Sequence, residues 1–495
     1  MSSTDTSVLI VGGGTSGAVL AARLSEVPSL SVTVLEAGPD DAVYDDALLD
    51  PARAADAWAG AAPIAPTPML TPTGAIPMFQ GRVLGGTSAI NGLATLRGLP
   101  DDYDAWAASG LTGWGWADVV DTFVAAERDV DFPTSPLHGS DGPLPVRRWR
   151  RDELSAAQCA FQDGMIEIGQ PAVADINDPS QLPGIGVFPV TIDEAGRRVS
   201  TSLAYLPPAV RARENLVIRT GTEVDRIEIE GGRARAVTLT SGETLEADEI
   251  LLTAGALWSP WLLQRAGIGP AADLAAHGIP VHADLPVGRT LSDHLGPGIA
   301  YGHAGPRGGV AGPAQVLLIG ASDGVHPDYH CFPIARAPGE ADTQFMMAAF
   351  LLRSSNRGRV ELGEDPAGPP RVTAPPLPDD ARDTLKHAFA RIAAWERSEA
   401  FAALGCAPLE PHDLTAPDAV DAALERLVLS YGHMTSTCPM GPVLDADCRV
   451  HGVAGLRVAD ASVMPTIPSG NTYLGCVMIA ERVARKMKAE RAPAA

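Results

Sequence analysis

Hydrophobic and polar positions follow three different rhythms along this chain. Residues 8–11 form a β-branched run, 15–26 have helical spacing, and 32–35 form a second apolar run, which predicts a βαβ unit. From residue 215 the pattern changes to short alternating segments at 216–219, 224–230, 233–240 and 243–253. Gly231-Gly232 and Ser241-Gly242 separate them as two-residue turns, so this stretch predicts a β-meander. Residues 376–430 carry helical periodicity. A final apolar helix from Asn471 to about Arg491 ends in Lys and Arg, which suit the negative end of a helix dipole. Residues 40–80, rich in Ala, Pro and Asp, read as a long surface excursion. The Gly/Pro-rich stretch 295–345 fits no one pattern, and the small residues of 81–92 read as backbone packed close to a ligand.

A length of 495 residues allows two to four domains, and no apolar run approaches the roughly 20 residues that span a bilayer. The start, Met1-Ser-Ser-Thr-Asp, has no basic segment or cleavage site, so the expected compartment is cytoplasmic, with no membrane association. With 37 basic and 60 acidic residues the net charge is −23, which argues against nucleic-acid or anionic-membrane partners. Six cysteines without a CxxC pair are expected to be reduced thiols. There is no internal repeat.

The strongest local signal is Gly12-Gly-Gly14-Thr15-Ser16-Gly17, placed after a strand and opening a helix. Gly12 permits a tight turn, Gly14 lets the backbone approach a pyrophosphate, and Gly17 lets helix and strand pack closely. The helix N-terminus offers free N–H groups to phosphates. Glu36 closes the second strand, where its carboxylate would meet a ribose hydroxyl and repel a 2′-phosphate. Gly267-Ile-Gly-Pro-Ala-Ala272 mimics a second fingerprint but follows a helical stretch, so it is set aside. One dinucleotide, held by distant parts of the chain, is the simpler account.

Two further residues are candidates for chemistry. His433 lies in the polar, small-residue stretch Tyr431-Gly-His433-Met-Thr-Ser-Thr-Cys438, and reads either as a catalytic base or as a structural histidine. With Cys438, Cys448 and His451 it suggests a metal, but no pair has the short spacing that sets tetrahedral zinc geometry, so no metal is expected. Asn471 precedes the last helix in Pro468-Ser-Gly-Asn471-Thr472 and reads as an N-cap, a substrate contact, or both.

Taken together, the motifs resemble the glucose-methanol-choline (GMC) oxidoreductase family over nearly the whole chain. Gly81-Arg-Val-Leu-Gly-Gly-Thr-Ser-Ala-Ile-Asn91-Gly is similar to the family's first signature, and Gly255-Ala-Leu-Trp-Ser-Pro-Trp-Leu-Leu-Gln-Arg-Ala-Gly-Ile-Gly269 to its second. Pro286-Val-Gly-Arg-Thr-Leu-Ser-Asp-His294 and Gly455-Leu-Arg-Val-Ala-Asp460-Ala-Ser-Val-Met-Pro465 are similar to further family segments. The resemblance implies an α/β fold (α+β overall): a Rossmann-type FAD-binding domain, and a substrate domain on a mixed or antiparallel sheet flanked by helices. The corresponding boundaries are 1–150, 205–295 and 434–495 for FAD, and 151–204 and 296–433 for substrate. It implies FAD contacts at Gly12, Gly14, Thr15, Ser16, Glu36, Arg82, Gly86, Thr87, Asn91, Gly92, Val224, Asp460, Ala461 and Thr472. The family's catalytic histidine maps onto His433 and its second active-site position onto Asn471.

Some family members attach flavin covalently through a histidine in the first signature; Ile90 stands there, so the expected FAD is non-covalent. Ala266 replaces a usual serine, Thr435-Ser436 and Pro439 depart from the motif after the histidine, and 295–375 is short for the family. The expected reaction oxidises an alcohol to aldehyde or ketone. His433 takes the hydroxyl proton, Asn471 supports the alkoxide, hydride passes to flavin N5, and O2 or another acceptor reoxidises the flavin. Aryl or furanic alcohols, sugars and amino-sugars are all open as substrates. The alternatives are an FAD-containing hydroxynitrile lyase of the same fold, a light-driven decarboxylase and an inactive flavin-binding protein.

Overall fold

The computed structural model describes residues 6–53, 64–71, 74–305, 308–309, 312–335, 343–355, 357–377 and 379–491. Its first layer is a five-stranded parallel sheet in the order Leu456–Val458, Glu249–Leu252, Thr6–Val11, Leu30–Leu35, Leu216–Arg219. Val8 stands opposite both Glu249 and Val32. The strands are apolar because helices cover the sheet, so both pleat faces are dry. Ile10, Val32, Val34, Ile250 and Leu251 are accordingly buried.

The helix Thr15–Leu24 joins the first two strands and packs against the last helix, Thr472–Ala489, so the two ends of the chain meet. The predicted βαβ unit is therefore present, with each strand extended by two residues toward its start. The fold is of the expected Rossmann type.

The predicted four-stranded meander is corrected. Only Val224–Glu230, Arg233–Leu239 and Thr244–Glu246 form an antiparallel meander, turning at Gly231 and Gly232, both at positive φ. Leu216–Arg219 and Glu249–Leu252 leave it for the parallel sheet, because their partners Leu30–Leu35 and Thr6–Val11 lie far away in sequence. Local alternation carries no information about such partners.

The second layer is a seven-stranded antiparallel sheet. Its main order is Cys406–Pro408, Leu295–His303, Gln344–Leu351, Tyr329–Ala335, Val316–Gly320, Gly184–Val187, with Val428–Ser430 also paired to Leu295–His303. The Gly/Pro-rich stretch 295–345 thus supplies most of this sheet. Helices Ala156–Glu167 and Asp379–Trp395 back it, with Phe161, Leu385, Phe389, Ile392 and Trp395 in its core. Along Tyr329–Ala335 the period of two sends Phe332 and Ile334 to the opposite face, where they line a cavity between the two layers. Part of the excursion at 40–80 is a hairpin, Ile64–Thr71 with Gly74–Gly81, whose Met78, Phe79 and Gln80 form one wall of that cavity. Residues 54–63 lie outside the described residues.

Candidate active site

The cavity has a volume of about 1010 Å³. It opens where the first two parallel strands end, at Val11 and Leu35, the usual ligand crevice of an open α/β sheet. Gly12 turns the chain there at φ +103°, and a Cβ on it would lie 2.6 Å from the carbonyl oxygen of Thr253. Gly86 crosses over Gly14 so closely that a Cβ on Gly86, itself at φ +54°, would lie 2.7 Å from Gly14 Cα. Gly14, Thr15 and Ser16 present the start of the first long helix to the cavity, and Asn471 and Thr472 present that of the last. Two helix N-termini aimed into one cleft make a strong anion site.

Every residue expected to touch FAD lines this cavity. Both oxygens of the buried Glu36 carboxylate accept backbone N–H bonds, from Gly13 and Gly38, each at 2.8 Å; burial still pushes its pKa up. Arg82 pairs with Glu223 at 2.9 Å near the mouth, beside Val224. Thr87 Oγ1 accepts the Gly81 N–H, and Ser16 Oγ donates to the Cys476 carbonyl. Asn91 Oδ1 accepts from Leu93 N at 3.0 Å and from Arg198 Nη1 at 2.8 Å, with Gly92 alongside. Asp460 accepts from Gly255 N and Ser259 Oγ, and fixes the turn carrying Ala461. Glycines where a Cβ would obstruct, convergent helix ends and a carboxylate closing the second strand fit an FAD molecule.

At the far end of the cavity His433 and Asn471 meet: Asn471 Nδ2 lies 3.0 Å from His433 Nε2. Asn471 holds the N-cap position but makes no capping bond, and its Oδ1 has no hydrogen-bond partner. Its amide is therefore free for something other than the helix. With the amide donating to Nε2, His433 carries its proton on Nδ1, which donates to His294 Nδ1 at 3.0 Å. Burial, and the positive charge that His294 and His330 would carry, hold the His433 pKa well below its usual value. Burial alone takes His294 down to about 3. The Tyr431 ring stacks on the His433 imidazole at 4.1 Å and 23°, and on Phe350 at 4.4 Å and 19°. Asp293 accepts the His433 backbone N–H at 2.9 Å and the Ser430 hydroxyl, and burial raises it to about 7. Behind Asn471, the Asp102 carboxylate accepts Ser469 N at 2.6 Å and Ser469 Oγ at 2.8 Å.

The sequence reading included Asp293-His294 in a family-like segment without a role, and missed His330, Asp102 and the wall of Phe188, Phe332, Phe350 and Tyr431. Those aromatics come from separate strands and loops, so no spacing announces them.

The four residues weighed as metal ligands do not assemble. Cys438 and Cys448 are buried free thiols, and His451 Nε2 lies 3.0 Å from the Gly441 carbonyl. Among the described residues a different group converges, Glu127, Asp129 and His138. It already has counter-charges: Arg97 pairs with Glu127, and Arg148 with Asp129 and with Asp175 at 3.0 Å. His138 meets Glu127 at 2.8 Å and Asp129 at 3.0 Å through Nδ1, and Asp175 at 2.7 Å through Nε2. Burial opposes charge on this ring, but bonds to Asp129, Asp175 and Glu127 outweigh it and raise its pKa to about 10. The cluster is a buried ion network of the fold.

Residues 6–296 and 354–480 match the N- and C-terminal parts described as GMC oxidoreductase. The chain is 36% identical to 5-(hydroxymethyl)furfural oxidase of Methylovorus sp. (strain MP688), over 96% of this chain and 97% of that one. It is 33% identical to oxygen-dependent choline dehydrogenase of Burkholderia thailandensis, over 97% and 93%. Among solved structures it superimposes on pyridoxine 4-oxidase from Mesorbium loti with a TM-score of 0.86 and 29% identity, covering 98% and 99% of the two chains.

Proposed function

The chain belongs to the GMC oxidoreductase family, FAD-binding enzymes acting on CH–OH groups, and from that premise we propose that it oxidises primary alcohols carried on an aromatic or other apolar frame. The observation that carries the substrate class is the sorting of charge along the cavity. Among the described residues, the charged ones lining it, Glu36, Arg82, Glu223 and Asp460, belong to the dinucleotide end. The end holding His433 and Asn471 is walled by Phe188, Phe332, Ile334, Phe350, Leu429 and Tyr431. A quaternary ammonium alcohol would find no carboxylate there among the described residues, and a sugar would leave most of its hydroxyls unpaired against apolar surface. A flat aromatic ring would bury its faces.

Glu36, Asn91, Asp460, Thr472 and the glycine turns at Gly12, Gly14 and Gly86 would hold FAD, without a covalent link, since Ile90 offers no nucleophile. Bound FAD supplies the acceptor for the carbinol hydrogen and its electron pair. His433, neutral and with no proton on Nε2, accepts the hydroxyl proton at that atom as the substrate oxygen takes the place of the Asn471 amide there. Asn471 Nδ2 donates to the same oxygen as negative charge grows on it. His294 Nδ1 accepts the His433 Nδ1–H and so holds the ring in the tautomer the reaction needs.

The test is anaerobic mixing of the FAD-loaded protein with benzyl alcohol, a furanic alcohol, choline and glucose. The proposal expects the oxidised flavin band to bleach rapidly with the two aromatic alcohols and slowly or not at all with the others. Bleaching by choline or glucose alone overturns the substrate class. Cyanohydrin cleavage without bleaching replaces oxidation with lyase chemistry. Admitting air then separates oxidase from dehydrogenase by the speed of colour return.

A further inference from the structure

Among the described residues the fully or nearly buried arginines fall into two kinds. Arg97, Arg148 and Arg457 each meet at least one carboxylate. Arg198 is 1% exposed and meets none. Its Nε donates to the Leu48 carbonyl at 2.8 Å, and its Nη1 to the Ser88 carbonyl at 3.4 Å and to Asn91 Oδ1 at 2.8 Å, while Nη2 has no partner. The ionisable groups facing it are the phenols Tyr44 and Tyr473, both held neutral by burial. Burial lowers the Arg198 pKa only to about 10, so the guanidinium remains charged at neutral pH.

An ion taken out of water without a counter-charge costs several kcal/mol, which is why buried arginines elsewhere in this chain are paired. Ser88, Asn91 and Tyr473, which surround the guanidinium, line the cavity that takes FAD. The cation stands one side chain behind the cavity wall, and that wall receives a cofactor with a doubly charged pyrophosphate and a ring that gains negative charge when reduced.

We propose that Arg198 is the fixed counter-charge of the bound flavin: through Asn91 it orients the cavity wall, and its field favours the reduced, anionic ring. It is a positioning residue, acting through Asn91 and through space. The inference rests on FAD occupying the cavity and not on which alcohol is oxidised, so it survives or fails separately from the substrate reading.

The measurement is the midpoint potential of the FAD-loaded protein by dye-equilibrium titration, with no substrate present, for wild type, Arg198→Met and Arg198→Lys. One unit charge at about 10 Å in a protein interior is worth roughly tenfold in an equilibrium constant. Arg198→Met is therefore expected to shift the oxidised-to-reduced ratio about tenfold toward oxidised, a fall of about 30 mV for a two-electron couple. Arg198→Lys is expected to keep most of the wild-type potential. An unchanged potential in the FAD-loaded Arg198→Met protein overturns the proposal and leaves a purely structural guanidinium. Should Arg198→Met fail to retain FAD, titrating each apoprotein with FAD decides instead. Binding kept by Lys and lost by Met supports the charge, and equal loss in both overturns it.

Discussion

Asn471 has two possible occupations, and one substitution separates them. Asn471→Ala deletes the amide that lies 3.0 Å from His433 Nε2. Were the residue capping the last helix, the change would cost about 0.5–2 kcal/mol of stability. The side chain makes no capping bond, however, and its Oδ1 is buried without a partner. Removing an unsatisfied buried acceptor relieves a desolvation penalty of about 1–3 kcal/mol. The lost bond from Nδ2 to His433 Nε2, about 0.5–1.5 kcal/mol, and the lost packing of a small side chain offset this, so the expected stability is close to unchanged. The catalytic consequence is of another size: deleting one donor to a developing oxyanion slows the chemical step by about 10²–10³. The assays are urea denaturation of the FAD-loaded protein and anaerobic stopped-flow bleaching of flavin by an aromatic alcohol. A stability loss above 1 kcal/mol (the middle of the capping range) with flavin reduction unchanged would refute the reasoning and make Asn471 a cap.

Other consequences follow from the same geometry. Since burial keeps His433 neutral, the flavin reduction rate is expected to stay flat from pH 9 down to pH 6; a sigmoidal fall centred near 6.5, the ordinary histidine value, contradicts this. Gly86→Ala, at positive φ and 2.7 Å from Gly14 Cα, should weaken FAD retention, visible as a lower flavin-to-protein absorbance ratio after purification. His138→Leu leaves three buried carboxylates against two arginines and should cost about 3–5 kcal/mol, read by urea denaturation of the FAD-loaded protein. Because the folded His138 pKa is raised from 6.5 to about 10, its contribution is complete below pH 6.5 and lost as pH rises through 10. The stability gap between wild type and the variant should close over that window.

What the sequence revealed divides along a physical line. The dinucleotide end was legible because positive φ and close backbone crossings tolerate only glycine, so Gly12, Gly17 and Gly86 write their geometry into the chain. The first strand and the two long terminal helices were legible because their apolar periods run long enough to be read locally. The meander was over-extended because Leu216–Arg219 alternates like a meander strand yet pairs with Leu30–Leu35. His433 and Asn471 could be singled out but not assigned from their own neighbourhoods; the resemblance supplied their roles, and folding brings them to 3.0 Å. The aromatic wall, the Asp102 carboxylate under Ser469 and the His138 network assemble from residues far apart in sequence, and such convergence leaves no local trace.

The most direct test of the account is the anaerobic half-reaction of the FAD-loaded protein with an aromatic primary alcohol, protiated or deuterated at the carbinol carbon, in wild type and in His433→Ala. The account predicts bleaching in wild type with a primary deuterium isotope effect, and a rate about 10²–10⁴-fold lower in His433→Ala with FAD still bound. Equal rates in the two proteins, or bleaching insensitive to deuterium in both, would contradict it.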